Sequence, residues 1–204
     1  MVFIHNIILV CWAIFFIYWI INWFNVKPTK EVIWGVARFR IIAVTVTIII
    51  VLIVKIFRIK LGFISSCNQT WYDCPNLLFN SQLSSVVLQI IGVLLAISGL
   101  ILAIVARYTL ASNWSATIEL KKGHELITNG IYSYIRHPIY TALLCMGLGT
   151  FLVSPSLPIV LVYVFIVVMV IFRIKKEEEL MSRTFPNDYP LYKKKVKMLI
   201  PFIW

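Results

Sequence analysis

Hydrophobic positions along the chain gather into five runs, at about 2–24, 38–57, 86–106, 138–153 and 156–172, and polar residues fall mainly between them. A helix that spans a bilayer needs roughly 17–25 mostly apolar residues, and these runs satisfy or approach that length. They are too long for strands and too numerous for the buried helices of a small soluble fold. The pattern therefore predicts an all-α, multi-pass transmembrane bundle of about five spanning helices. The last two runs are short and meet around Ser154-Pro155-Ser156-Leu157-Pro158, a turn composition that predicts a helical hairpin closing at one membrane face. In the third run Gly92, Ala96, Gly99 and Ala103 recur at helical spacing. Such a small-residue stripe lets a second helix approach closely, either within the chain or across a dimer, the former being the simpler reading.

Composition supports the membrane assignment. Soluble domains are about 45–50% apolar, whereas this chain is 61% hydrophobic with a mean hydropathy of +0.92. The first run has no basic residue ahead of it, is too long for the apolar core of a signal peptide and lacks a small-residue cleavage site, so it reads as a retained helix. A single integral membrane domain over 1–204 is expected, with three helices in 1–106 and a polar-rich second part in 107–204.

The net charge of +11 does not point to nucleic acid, because the basic residues lie between apolar runs and at the C-terminus rather than along one amphipathic face. Anionic lipid headgroups are the expected partner of the C-terminal cluster. Arg173, Lys175, Lys176, Arg183, Lys193, Lys194, Lys195 and Lys197 follow the last run, and the hairpin turn carries no positive charge. The excess of cations on cytoplasmic loops thus places the C-terminus inside. Counting back puts 107–137 and 25–37 inside, and the N-terminus and 58–85 outside. Lys27, Lys30, Lys121 and Lys122 agree, and Lys55, Arg58 and Lys60 run against it. The four cysteines offer no metal-ligand spacing, and no metal is expected. Cys67 and Cys74 share one polar loop, where they either pair in an oxidising compartment or stay reduced, and Asn68-Gln69-Thr70 is a glycosylation sequon.

Polar residues concentrate in two places. In 124–140 Gly130 permits a turn, Pro138 suits the first turn of a helix and His137 falls near its N-cap. The exposed amides of that helix start could seat an anion. Capping by His137 and interfacial anchoring by Tyr132 and Tyr140 would explain the same residues, and both readings stay open at this level. At the end of the fifth run Arg173 and Glu177 are four apart, hence on one face if the helix continues past the bilayer. The alternative there is a snorkelling basic end followed by solvated charge.

Taken together the two segments resemble the isoprenylcysteine carboxyl methyltransferase family and its phospholipid methyltransferase relatives, over about 107–204. The first pattern is carried by His124, Leu126-Ile127-Thr128, Gly130, Tyr132 and Arg136-His137-Pro138-Ile139-Tyr140. The second is carried by Glu177-Glu178, Leu180, Phe185, Tyr189, Tyr192 and Ile200-Pro201. Upstream, Thr109-Leu110 and Asn113-Trp114 also fit, while Ala111 and Pro186 stand where the family commonly has glycine. The first two runs match no motif. The resemblance implies a cytoplasmic pocket for S-adenosylmethionine in the C-terminal half, contacted by His124, Leu126, Ile127, Tyr132, His137, Pro138, Ile139, Tyr140, Glu177 and Glu178. It implies that Arg173 faces the acceptor, with Arg173 and Glu177 as the catalytic pair, and that the acceptor is a prenylated or other lipid-like substrate from the bilayer. A carboxylate of an isoprenylcysteine is the expected acceptor and a phospholipid amine the alternative. A sterol-type membrane reductase and a non-catalytic lipid-binding protein are the competing classes.

Overall fold

The computed structural model describes residues 2–22, 29–32, 86–114, 119–121, 123, 125–155 and 157–201. Over these the chain is mainly helical, as expected: α1 (Val2–Ile21), α2 (Val86–Leu110), α3 (Pro138–Val153), α4 (Leu157–Thr184) and α5 (Asp188–Lys195). Two short strands were not anticipated. β1 (Thr29–Val32) and β2 (Glu119–Lys121) pair antiparallel, and segments of four and three residues are too short for an alternating pattern to show in the sequence. The expected run at 38–57, Cys67, Cys74, the Asn68 sequon and His124 lie outside the described residues. Two described helices, Phe3–Ile21 and Val86–Asn113, are long and apolar enough to cross a membrane, and α3 is a shorter apolar helix.

The small-residue stripe explains how α2 sits. Gly92, Ala96, Gly99 and Ala103 are all buried, and the stripe faces α3 within the chain. A Cβ placed on Gly92 would lie 2.7 Å from the Gly149 carbonyl oxygen, one on Gly99 2.8 Å from that of Ala142, and one on Gly149 2.4 Å from that of Gly92. The two backbones are therefore in contact, which gives apolar helices the van der Waals packing that lipid cannot compete away. Helix α1 covers this pair. Cys11 and Phe15 pack with Leu100, Ala103, Ala142 and Met146, and Ile8 packs with Ala96 and Val153. Trp12 Nε1 donates to Thr150 Oγ1 at 3.0 Å, whose hydroxyl donates to the Met146 carbonyl at 2.8 Å. Both groups would be costly in an apolar interior if left unpaired.

Helices α3 and α4 form the expected antiparallel hairpin. Gly147 lies against Tyr163 near the turn, and at the far end Tyr140 and Leu144 pack on Val170 and Ile174. Helix α4 does not stop at the end of its apolar run near 172 but continues through the charged residues to Thr184, so Arg173 and Glu177 share a face. Two ends of the bundle result. The start of α1, the start of α2 and the hairpin turn lie at one. Asn22, the last turn of α2, the 130–137 segment, the charged half of α4, α5 and the segment 197–199 meet at the other. Every residue singled out for chemistry in the described segments is at this second end.

Candidate active site

The site is built around the 130–137 segment. Gly130 has φ +57° and opens a 3₁₀ turn (Gly130–Ser133). The left-handed backbone there is one that glycine adopts without steric cost. The turn is held from two sides: Tyr132, buried, directs its hydroxyl to the Ala106 carbonyl of α2 at 3.5 Å, and the Tyr192 hydroxyl of α5 donates to the Tyr132 carbonyl at 2.6 Å. Burial raises the Tyr132 phenol well above its usual range and the Tyr192 phenol to about 12, so both remain proton donors.

Residues 135–137 then run beside the C-terminal segment 197–199. Ile135 bridges Lys197 in parallel, Arg136 N donates to the Lys197 carbonyl at 2.9 Å, and His137 N donates to that of Met198 at 3.1 Å. Thr141 Oγ1 donates to the Leu199 carbonyl at 2.7 Å. The late Ile200-Pro201 element thus follows directly on a segment, 197–199, stitched to the histidine-proline turn. His137 occupies the N-cap position and Pro138 the first turn of α3, but the His137 side chain makes no capping hydrogen bond. It turns instead toward Glu178, with Nε2 3.4 Å from Oε1.

Three consecutive acids diverge because successive residues on a helix point about 100° apart. Glu177 accepts a hydrogen bond from the Tyr140 hydroxyl at 2.8 Å, and that hydroxyl in turn accepts from Arg173 Nε at 2.5 Å. This makes a continuous Arg173–Tyr140–Glu177 relay. Glu178 is buried and accepts from Arg136 Nε and Nη2 at 3.0 and 2.8 Å through Oε1 and from Lys193 Nζ at 2.6 Å through Oε2. Arg136 Nη1 also donates to the carbonyls of Lys193 and Val196. Glu179 is exposed and pairs with Lys176 and Arg183 on its own helix. Burial alone would raise the Glu178 carboxyl, but the hydrogen bonds from His137, Lys193 and Arg136 outweigh it and hold it well below the usual carboxylate range.

The histidine-proline turn and the glutamates beyond the last apolar run therefore converge, bringing His137, Tyr140, Arg173, Glu177 and Glu178 into one cluster. Tyr132 joins through Tyr192. Pro138 is fully buried, and Leu126, Ile127 and Ile139 are half-buried. Sequence reasoning placed Arg136 and Tyr189 in the two motifs without giving either a role, counted Lys193 only with the basic cluster and did not name Thr141; the importance of Arg136, Lys193 and Thr141 rests on contacts 15 to 60 residues away. The Tyr189 hydroxyl is buried with no hydrogen-bond partner among the described residues. Burial first, and then the Glu178 carboxylate, push that phenol up.

A model of the phospholipid methyltransferase family matches residues 87–188, half of the 204 residues. The chain is 33% identical over 130 residues to the protein-S-isoprenylcysteine O-methyltransferase of Saccharomyces cerevisiae, covering 62% of this chain and 54% of the relative. It is 33% identical over 120 residues to that of Homo sapiens, covering 57% and 42%. The chain thus spans about half the length of the curated relatives it matches. Among solved structures it is similar to a eukaryotic intramembrane Ras methyltransferase, an isoprenylcysteine carboxyl methyltransferase. The TM-score is 0.51 at 30% identity, covering 57% of this chain and 45% of that one.

Proposed function

Because the chain belongs to the phospholipid methyltransferase family, we propose that it is a membrane enzyme that methylates the carboxylate of an isoprenylcysteine-type acceptor with S-adenosylmethionine, working as one domain over 1–204. The observation that carries this reading is the Arg173–Tyr140–Glu177 relay set beside the His137–Pro138 turn. The donor set suits the cofactor. Glu177 commits Oε2 to Tyr140 and makes no second hydrogen bond among the described residues, and the buried Tyr189 hydroxyl makes none there. A ligand rich in hydroxyl and ammonium groups would satisfy both.

S-adenosylmethionine supplies, when bound, a methyl group on a sulfonium ready for in-line displacement, so the protein's task is alignment and exclusion of water. Glu177 would hold the cofactor's ammonium or ribose hydroxyls. The first-turn amides of Ile139 and Tyr140, which have no helical acceptor, would hold its carboxylate. Leu126, Ile127, Tyr132, His137, Pro138 and Ile139 would wall the pocket, with His124 contributing from the preceding segment. Tyr140 fixes both Glu177 and the Nε side of Arg173, which orients the guanidinium charge toward the acceptor carboxylate. That acceptor is already a nucleophile, so no general base is required. Glu178 contributes by holding Arg136 and His137 in place and not by touching the ligand. The charged end of the bundle would face the cytoplasm, where the cofactor is dissolved, and the acceptor's prenyl tail would enter from the bilayer.

The test is to incubate membranes bearing the protein with tritiated S-adenosylmethionine and a prenylcysteine acceptor. Label that is released by mild base as from a methyl ester is the expected result. Base-stable label on phospholipid would instead support the amine acceptor, the reading that the family's own description favours. Absence of label, with no heat of S-adenosylmethionine binding in titration calorimetry, would overturn both.

A further inference from the structure

Arg107 takes no part in the site above, and its surroundings are unusual. It stands in the last turn of α2 and is 2% exposed. Nη1 donates to the Ala111 carbonyl at 2.6 Å, Nη2 to the Asn22 carbonyl at 2.9 Å, and Cζ lies 4.5 Å from the centre of the Trp114 ring. Nε is buried with no partner, and among the described residues no carboxylate forms an ion pair with Arg107. Carbonyls, an aromatic face and the negative end of α2 offset part of its charge. Among the described residues it has no full counter-ion, in contrast to Arg136, which has Glu178.

Arg107 forms part of the wall of an open cleft of about 660 Å³ between the ends of α1 and α2. The other walls include Tyr18, Asn22, Tyr108, Ser112 and Asn129, all neutral groups able to donate a hydrogen bond and none acidic. From Tyr108 an exposed apolar stripe, Val105 and Ile101, runs down α2 at spacings of three and four residues, and Ile21, Ile17 and Ile14 do the same on α1. The cleft therefore couples a cation with no carboxylate partner among the described residues, and a ring of neutral donors, to two apolar tracks on membrane-length helices. That is the pattern of an amphiphile with an anionic head and long tails.

We propose that this cleft binds a membrane phospholipid, with its phosphodiester at Arg107 and its acyl chains along the α1 and α2 stripes. Asn129, in the wall, immediately precedes the Gly130–Ser133 turn. A bound lipid therefore braces the segment that carries Tyr132, and occupancy is read as stability whatever reaction the enzyme catalyses.

The full chain, purified in neutral detergent and stripped of lipid, is followed by thermal unfolding during titration with dioctanoylphosphatidylglycerol, dioctanoylglycerol or inorganic phosphate. A saturable rise in melting temperature is expected with the phosphatidylglycerol alone. The rise is lost in Arg107→Gln, and half-saturation moves at least tenfold higher in Asn129→Asp, which sets a negative charge in the wall. Because Arg107→Gln also removes the tie between α1 and α2 and can fail to fold, Asn129→Asp decides in that case. An equal rise with dioctanoylglycerol would make the effect one of tails only, an equal rise with inorganic phosphate one of a free anion, and either overturns the lipid assignment. So does an unchanged titration in Asn129→Asp.

Discussion

Replacing Glu178 by alanine removes the one carboxylate that accepts from both Arg136 and Lys193 and that faces His137. The Arg136 and Glu178 side chains are 8% and 9% exposed, so the change leaves a buried guanidinium facing only the carbonyls of Lys193 and Val196. Removing one member of a buried pair typically costs about 3–5 kcal/mol. The retained carbonyls argue for the lower end, and the Lys193 contact, half-exposed, adds less than about 1 kcal/mol. A loss near 3 kcal/mol confined to the unit that joins 135–137 to 193–199 multiplies its open population by roughly 150. Trypsin reads this directly, because Lys193, Lys194, Lys195 and Lys197 lie in α5 and the paired segment that must open before cleavage. Cleavage at these lysines in detergent should accelerate on the order of 100-fold in Glu178→Ala, and an acceleration below about threefold would refute the clasp. The pH dependence has a definite sign. The folded-state carboxyl sits below its ordinary value, near 4.3, so unfolding takes up a proton. The advantage of the wild type over Glu178→Gln is complete above about pH 4.3 and declines as the pH falls from there toward the folded value.

Glu177→Ala and His137→Ala should each weaken S-adenosylmethionine binding by about 1–3 kcal/mol in titration calorimetry, and Glu177→Ala should leave trypsin sensitivity unchanged; wild-type affinity in both would remove the assigned cofactor site. Arg173→Ala should leave cofactor affinity mostly intact while suppressing turnover, and the reverse pattern would mean the two roles are exchanged. Gly149→Ala places a Cβ 2.4 Å from the Gly92 carbonyl oxygen and should lower stability in detergent by about 1–3 kcal/mol; unchanged melting would mean that α2 and α3 do not touch as described. In a background with Cys67 and Cys74 replaced by serine, a cysteine at Ser154, at the end remote from the charged cluster, should be labelled by an impermeant maleimide from outside intact cells, and labelling only after permeabilisation would invert the orientation.

What could be read in advance follows from the range of the interactions. The runs 86–106 and 138–153, the turn at Gly130, the first-turn place of Pro138 and the small-residue stripe each depend on neighbours within a turn or two of helix. All four appear where the pattern put them. The end of α4 at Thr184 was legible only conditionally, because propensity does not say whether a helix outlives its apolar run. The roles of Glu177 and Glu178 could not be separated from sequence, since adjacent acids look alike until the helix turns one toward Tyr140 and the other toward Arg136. The pairing of 135–137 with 197–199 was equally hidden, because contacts across some 60 residues leave no local trace. Ala111 is a partial exception. Its φ of +46° falls in the left-handed region, which gives a physical reason for glycine to be usual there.

The division of labour between the two ends of the bundle follows from the solvent each must face. Toward the hairpin turn the helices meet through Gly92, Gly99 and Gly149 and through the Trp12–Thr150 hydrogen bond, contacts that need no water and no charge. Such close backbone contact makes α2 and α3 a stiff base, because any rotation of one helix drives carbonyls into the other. At the opposite end that stiffness fixes where the 130–137 segment starts and where α3 begins, while α4 carries three acids past the apolar run to meet it. The charges there are held in groups, Arg136 with Glu178 and Arg173 with Tyr140 and Glu177, beyond the apolar run of α4 and so near the aqueous edge in the proposed orientation. A site assembled midway along the helices would have had to desolvate the same groups in hydrocarbon. Placed at the rim, the site proposed above would be open both to a soluble, charged cofactor and to a tail sliding in from the bilayer, which is the access that the proposed methyl transfer to a lipid-borne acceptor requires.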